Sequence, residues 1–209
     1  MPKTHIIVHH TASDAVGGAP QINGVNNFHR DKDWGGGARA KKSSLGWFVQ
    51  YHYFIEPSGQ VIKTANEDEL RWHAGNMNDK AIGVCMAGWF DPGHDAAPTA
   101  AQVASLKDLL TKLTKQFNIP ADHIDPHRKY MPKSCYGYNL ADDWARNLLK
   151  DSAPANFIIK ASNGYGIGKV APKPEVLQQY ADEAGVEIPK NPDNTINWAE
   201  VDKRARKVV

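Results

Sequence analysis

This chain has little cysteine, no long apolar run and no dominant charge, and each shortage closes off a class of protein. Its two cysteines, Cys85 and Cys135, cannot make a disulfide framework for 209 residues. No stretch approaches the roughly 20 apolar residues that a membrane-spanning helix needs, so membrane insertion is not expected. No long apolar run follows the opening MPKTH, so no secretory signal peptide is read and the product is expected to be made in the cytoplasm. Lys and Arg total 25 against 23 Asp and Glu, a formal net charge of +2. That balance is too even for the dense basic stripe of a nucleic-acid binder. The helical zinc signature His-Glu-x-x-His and any CxxC pair are also missing.

What is present suits a globular domain, with hydrophobic residues at 41% and charged residues at 23%. HIIVHH reads as a first strand, and about Gln21 to Asp31 as a short helix weakened by Gly24. DWGGGARAKKSSLG has no apolar period and reads as a loop. WFVQYHYFIE reads as a strong strand, PSGQ as a turn and VIKTA as the returning strand. The nearly continuous apolar run from Ala81 to Trp89 suits a strand buried on both faces. In PTAAQVASLKDLLTKLTKQFN, Val103, Leu106, Leu109, Leu110 and Leu113 recur at helical spacing, with Thr99 placed to cap and Pro120 beyond the end. A further helix is expected from roughly Leu140 to Leu149. Strands alternating with amphipathic helices indicate an α/β or mixed α+β domain over 1–152. Residues 153–209 follow the linker DSAPAN as a small accessory segment. They hold a possible strand, NFIIKAS, a glycine-rich turn, NGYGIG, and two helix candidates, PEVLQQYADEAG and NWAEVDKRARKVV.

The chemistry concentrates in histidine, of which there are nine. In IIVHHTAS, His9 and His10 are strand neighbours whose side chains point to opposite faces, so one metal would take only one of them. Both faces of HIIVHH are apolar further back, and periodicity does not choose between the two. In PHRKYMPKSC, His127 and Cys135 are separated by seven residues. A continuous helix would hold them about 12 Å apart in rise, and Pro132 argues against that helix, so a loop must fold back to join them. Imidazole and thiolate together suit zinc, and three protein ligands leave one open position, the layout of a catalytic site. Spacing alone leaves that assembly open. Cys85, inside AIGVCMAGWF, reads as a small buried hydrophobe. On the residues alone Tyr51 reads as packing beside Trp47 and Tyr53, Trp72 equally as packing or as a sugar contact, and His29 as a surface residue.

Four segments in a fixed order carry a resemblance: IIVHHTAS, YHYFIEPSGQV, WHAGN followed by AIGVCMAG, and PHRKYMPKSC. Over roughly residues 3 to 150 the chain resembles the type 2 N-acetylmuramoyl-L-alanine amidases. This zinc amidase family is shared by phage endolysins and peptidoglycan recognition proteins. The resemblance implies a central mixed β-sheet flanked by helices, with Zn2+ in a surface groove held by His9, His127 and Cys135. It implies catalytic roles for Tyr51 and Lys133, and substrate contacts from Trp72, His73 and His29. His10 is then left to hydrogen bonding at the strand end or groove wall. The implied reaction is hydrolysis of the amide between N-acetylmuramic acid and L-alanine in peptidoglycan. The implied setting is a monomeric phage endolysin that waits for a holin and then acts on the wall from the periplasm. A recognition module without catalysis and an interbacterial amidase toxin are the alternatives. A cysteine hydrolase using Cys135 with His127 as base is a third, metal-free reading. The chain departs from the family's frequent Cys-Pro-Gly in reading CYG, with Tyr136 in the proline's place. It also has Cys85 where a related intracellular branch carries a glutamate base, which places it with the tyrosine-using branch.

Overall fold

The structure, a computed structural model, describes residues 2–15, 18–95, 97–150, 188, 190–197 and 200. Contacts divide the chain into two units, Met1–Leu149 and Lys150–Val209. In the first, five strands form one sheet: β1 His5–His10, β2 Tyr53–Ile55, β3 Val61–Lys63, β4 Ala81–Met86 and β5 Ile124–Pro126. Their order is β3-β2-β4-β1-β5. Strands β1, β4, β2 and β5 pair in parallel and only β3 runs antiparallel, against β2, so the sheet is mixed. Among the described residues three α-helices accompany it: α1 Ile22–Asp31, α2 Ala100–Phe117 and α3 Trp144–Asn147. Among the described residues no helix is long and apolar enough to cross a membrane.

Helix α2 covers one face of the sheet. Its leucines 106, 109, 110 and 113 are buried in a core with Ile6, Val8, Ile82, Val84, Met86 and Ile124. Each such side chain contributes about 1.5–3 kcal/mol of burial energy. The helix starts where the sequence places its cap. The Thr99 side chain accepts from the Gln102 N–H, and Gln102 returns the bond to the Thr99 N–H. The buried Gln102 amide also donates to the Ala87 carbonyl at 2.7 Å, tying the helix start to the chain just beyond β4.

Helix α1 lacks a cap of its own. Instead the buried Glu56 carboxylate, just past β2, accepts from the N–H groups of Gln21 at 2.8 Å and Ile22 at 2.9 Å. Those are N–H groups a helix start leaves orphaned, and an anion suits that end. In return, α1 shortens a strand. WFVQYHYFIE reads as one strand, yet only Tyr53–Ile55 pairs as one. The Phe48 N–H goes to Asn26 Oδ1 at 2.7 Å and the Gln50 N–H to His29 Nδ1 at 3.1 Å, so α1 side chains take bonds a strand neighbour would otherwise receive.

Two further boundaries move for similar reasons. The run Ala81 to Trp89 stops as a strand at Met86, because the Gly88 and Trp89 N–H groups turn to Thr11 Oγ1 and Asp95 Oδ2. The expected helix from Leu140 to Leu149 shrinks to Trp144–Asn147. The Leu140 and Asp142 carbonyls accept from Arg128 and the Tyr136 hydroxyl instead of from a helix, and that hydroxyl shares the Ala141 carbonyl with the Trp144 N–H. Strand β5, Ile-Asp-Pro, is too short and too mixed in composition to stand out by alternation. In the second unit an antiparallel bridge joins Lys190 and Ile196 around a turn closed by the Asn191 N–H to the Thr195 carbonyl, 2.8 Å. NFIIKAS, NGYGIG and PEVLQQYADEAG lie outside the described residues, as does all of NWAEVDKRARKVV except Asn197 and Glu200.

Candidate metal and catalytic site

Alternation along β1 separates the two histidines. Ile6 and Val8 enter the core under α2, and Ile7 belongs to a second cluster with Ala74 and Ala81. His10 therefore follows the α2 side and His9 the other. His10 Nδ1 accepts the Phe90 N–H at 3.2 Å, and burial lowers its pKa to about 4. It is a neutral, bonded strand-end residue. His9 lies beside Cys85, its register partner on β4.

Parallel pairing brings a distant histidine alongside. Val8 is in register with Pro126, so the residues that follow, His9 near the end of β1 and His127 just past β5, lie side by side at the carboxyl ends of the two strands. Their rings are 4.5 Å apart. Carboxyl ends of parallel strands are where open sheets bind ligands. Cys135 returns to the same place on a loop fastened at both ends. The Arg128 N–H donates to the Cys135 carbonyl at 2.6 Å, and the Arg128 guanidinium bonds the carbonyls of Gly137 and Leu140. Cys135 Sγ accepts the His10 N–H at 3.4 Å and is 3.6 Å from His9 Nδ1. Nitrogen or sulfur atoms of His9, His127 and Cys135 all lie within 4.8 Å of one another, and all three residues are buried. The peptide between Cys135 and Tyr136 is cis.

Burial sets the protonation of this trio. It lowers the His127 pKa to about 4, with Lys133 and His10 adding to the effect. It also holds His9 well below the ordinary value, with His127 and His73 next in effect. The Cys135 thiol is pushed up to about 12 by burial, against the opposing pull of the His10 N–H, Lys133 and Arg128. Two neutral imidazoles and one protonated thiol at this separation are a donor set that a divalent cation fits. The imidazoles already carry lone pairs, and the cation's own charge would deprotonate the sulfur.

The remaining site residues from the sequence lie at different distances from this point. Tyr51 is half-buried, with its ring 4.8 Å from that of His9, and burial raises its hydroxyl well above the ordinary value. Lys133 is exposed, and its charge acts on His9, His127 and Cys135. His29 is buried, where the sequence alone reads it as a surface residue. Its ring packs against Tyr51 at 5.4 Å and Trp34 at 5.3 Å, and its Nδ1 accepts the Gln50 N–H. Trp72 is half-buried beside Trp34, ring centroids 6.1 Å apart. His73 is buried, 6% exposed, with Nδ1 at 3.0 Å from His9 Nε2. Two participants escaped the sequence reading: Arg128 as the staple of the Cys135 loop, and His73 as the neighbour of His9. Neither position has a spacing signal that would have marked it.

A mixed sheet with imidazoles and a thiol gathered at its strand ends, and a tyrosine against them, defines the protein's class. Residues 1–138 match the N-acetylmuramoyl-L-alanine amidase family, and the chain belongs to it. Its enzyme class is therefore that of the peptidoglycan amidases. Among individual relatives, the endolysin of Escherichia phage T7 is 34% identical over 110 residues, covering 51% of this chain and 72% of that protein. The fold is shared with the N-acetylmuramoyl-L-alanine amidase LysC from Clostridium intestinale URNW, at 24% identity and a TM-score of 0.52, covering 66% of this chain and 79% of that one. It is also shared with a complex of the peptidoglycan recognition proteins LCa and LCx holding tracheal cytotoxin. There the identity is 21% and the TM-score 0.52, over 67% of this chain and 79% of that one.

Proposed function

We propose that this chain is a zinc-dependent endolysin that cuts the amide joining N-acetylmuramic acid to L-alanine in the bacterial wall. The observation that carries the reading is the convergence of His9, His127 and Cys135 within 4.8 Å at the carboxyl ends of β1 and β5. These residues would hold the ion. Bound zinc supplies a Lewis acid that polarises a carbonyl and acidifies water. The protein's own groups do the rest. Tyr51, kept protonated, donates a hydrogen bond to the oxygen on which negative charge grows as the amide carbon becomes tetrahedral. Lys133 places a positive charge on the solvent side of the same point. Trp72 and Trp34 form an aromatic wall suited to sugar or stem-peptide contact. The likeness to the phage endolysin favours lysis of a host over a toxin role, and the intact ligand trio favours catalysis over recognition alone. Peptidoglycan is the partner, and the site of action is the wall.

Tyr51→Phe tests the role given to the hydroxyl. One lost oxyanion donor lowers kcat by about 10²–10³-fold. The expected result is a fall of that size with zinc affinity and KM nearly unchanged, read by release of stem peptides from purified peptidoglycan. A Tyr51→Phe enzyme with the parent kcat would remove the hydroxyl from the mechanism.

A further inference from the structure

The two buried imidazoles His9 and His73 face each other edge to face, with ring centroids 5.2 Å apart and planes at 77°. His9 Nε2 and His73 Nδ1 are 3.0 Å apart, a hydrogen bond within the protein interior. One of these nitrogens must carry the proton and the other the lone pair. The other nitrogen of His9, Nδ1, is the one turned to Cys135 Sγ, at 3.6 Å. Nδ1 is therefore the atom that would meet a metal, and a neutral imidazole offers a lone pair at Nδ1 only when its proton is on Nε2.

The surroundings of His73 are built to keep its ring there. Its own N–H and that of Ala74 both donate to Asn78 Oδ1, at 2.8 and 2.6 Å, which fixes the backbone beneath the ring. The ring lies flush on β4 at Gly83. A Cβ at that position would sit 2.9 Å from His73 Nδ1 and 3.0 Å from Cγ. Only a glycine in the strand leaves that space. His73 Nε2 is buried without a fully formed hydrogen bond, and the Ala81 carbonyl is its neighbouring acceptor.

We propose that His73 is a positioning residue, not a substrate contact. Its Nδ1 accepts the His9 Nε2–H and so fixes His9 in the tautomer and orientation that present Nδ1 to the metal. The proton of His73 itself then lies on Nε2, toward Ala81. A metal-binding histidine whose second nitrogen donates to a fixed acceptor gains both basicity and orientation, and loss of such an acceptor typically weakens metal binding by about 10–100-fold. Here the acceptor is a neutral imidazole, which holds the tautomer without adding a negative charge beside the ion.

The inference rests on the zinc reading above, and its test separates the two. Full-length protein labelled with 15N gives the histidine tautomers from long-range proton–nitrogen correlations, without metal and with zinc. The expected result is His9 protonated at Nε2 in both states. A proton on His9 Nδ1, or zinc bound through Nε2, would overturn the proposal. Two variants read the energetic consequence by competition with a chromophoric zinc chelator. His73→Asn puts an acceptor oxygen near the place of Nδ1 and is expected to stay within about threefold of the parent, whereas His73→Leu is expected to lose about 10–100-fold. Thermal unfolding of the metal-free proteins establishes that each variant is folded. A folded His73→Leu protein with the parent zinc affinity and a raised KM would instead make His73 a substrate contact. If His73→Leu does not fold, the tautomer in the parent protein decides. A parent protein that binds no zinc at all would refute the metal site itself.

Discussion

Replacing Cys135 by alanine is expected to abolish tight zinc binding and to lower amide hydrolysis by roughly 10³-fold or more, the equivalent of about 4 kcal/mol in the transition state. The thiol is the only member of the trio that can bring a negative charge to the ion. Its sulfur accepts the His10 N–H and lies beside His9, both at the carboxyl end of β1. Removing it leaves two neutral imidazoles, which on their own hold a divalent cation weakly. The same variant addresses the metal-free alternative when paired with a chelator. A Cys135–His127 hydrolase would lose activity with Cys135→Ala, but the parent would survive dialysis against a strong chelator. A zinc enzyme fails both tests and recovers from the second when zinc is returned. Zinc titration and chromatography of released stem peptides read the two outcomes.

Gly137→Ala is expected to be the most damaging small change outside the ligands, costing on the order of 3 kcal/mol or more of folding stability. Gly137 has φ of 106°, a region that side chains rarely occupy, and a Cβ there would lie 2.2 Å from the Phe90 carbonyl oxygen and 2.6 Å from its carbon. The obstacle is backbone, so no rotamer change relieves it. Gly137 also anchors the loop that delivers Cys135. Its N–H donates to the Ser134 carbonyl at 2.6 Å, and its carbonyl accepts from Arg128 at 2.8 Å. Urea unfolding is expected to show a lower midpoint, and zinc affinity to fall in the fraction that remains folded. A variant with the parent midpoint would show that the close approach to Phe90 is dispensable.

What the sequence reveals about this fold depends on which forces act locally. Helix α2 is legible because its leucine spacing, its Thr99 cap and its packing against the sheet agree. Strand β1 is legible because it is apolar on both faces and buried on both. The segment Trp47 to His52 is not, because alternation there is real while its Phe48 and Gln50 N–H groups are taken by Asn26 and His29, residues of another element. Leu140 to Leu149 fails at its start for the same reason, the Leu140 carbonyl being claimed by Arg128 and the Asp142 carbonyl by the Tyr136 hydroxyl. At the site, the residue types in IIVHH and PHRKYMPKSC suggest metal chemistry, but the choice of His9 over His10 came only through the family likeness. In the structure, alternation turns His9 to the face of β1 away from α2, and the parallel register of β1 with β5 sets it near His127. His73 was visible in the WHAGN motif but not its partner, since the bond to His9 spans 64 residues and requires the bare strand surface at Gly83.

Mass spectrometry of muropeptides released by the full-length protein, run beside its zinc stoichiometry, tests the proposed activity most directly. The expected result is one zinc per chain, with products that separate into intact glycan whose muramic acids carry free lactyl carboxylates and stem peptides with a free L-alanine amino terminus. Those products should disappear when the metal is removed and reappear when zinc is restored. Products that keep the muramic acid–alanine bond, or undiminished cleavage by the metal-free protein, would contradict it.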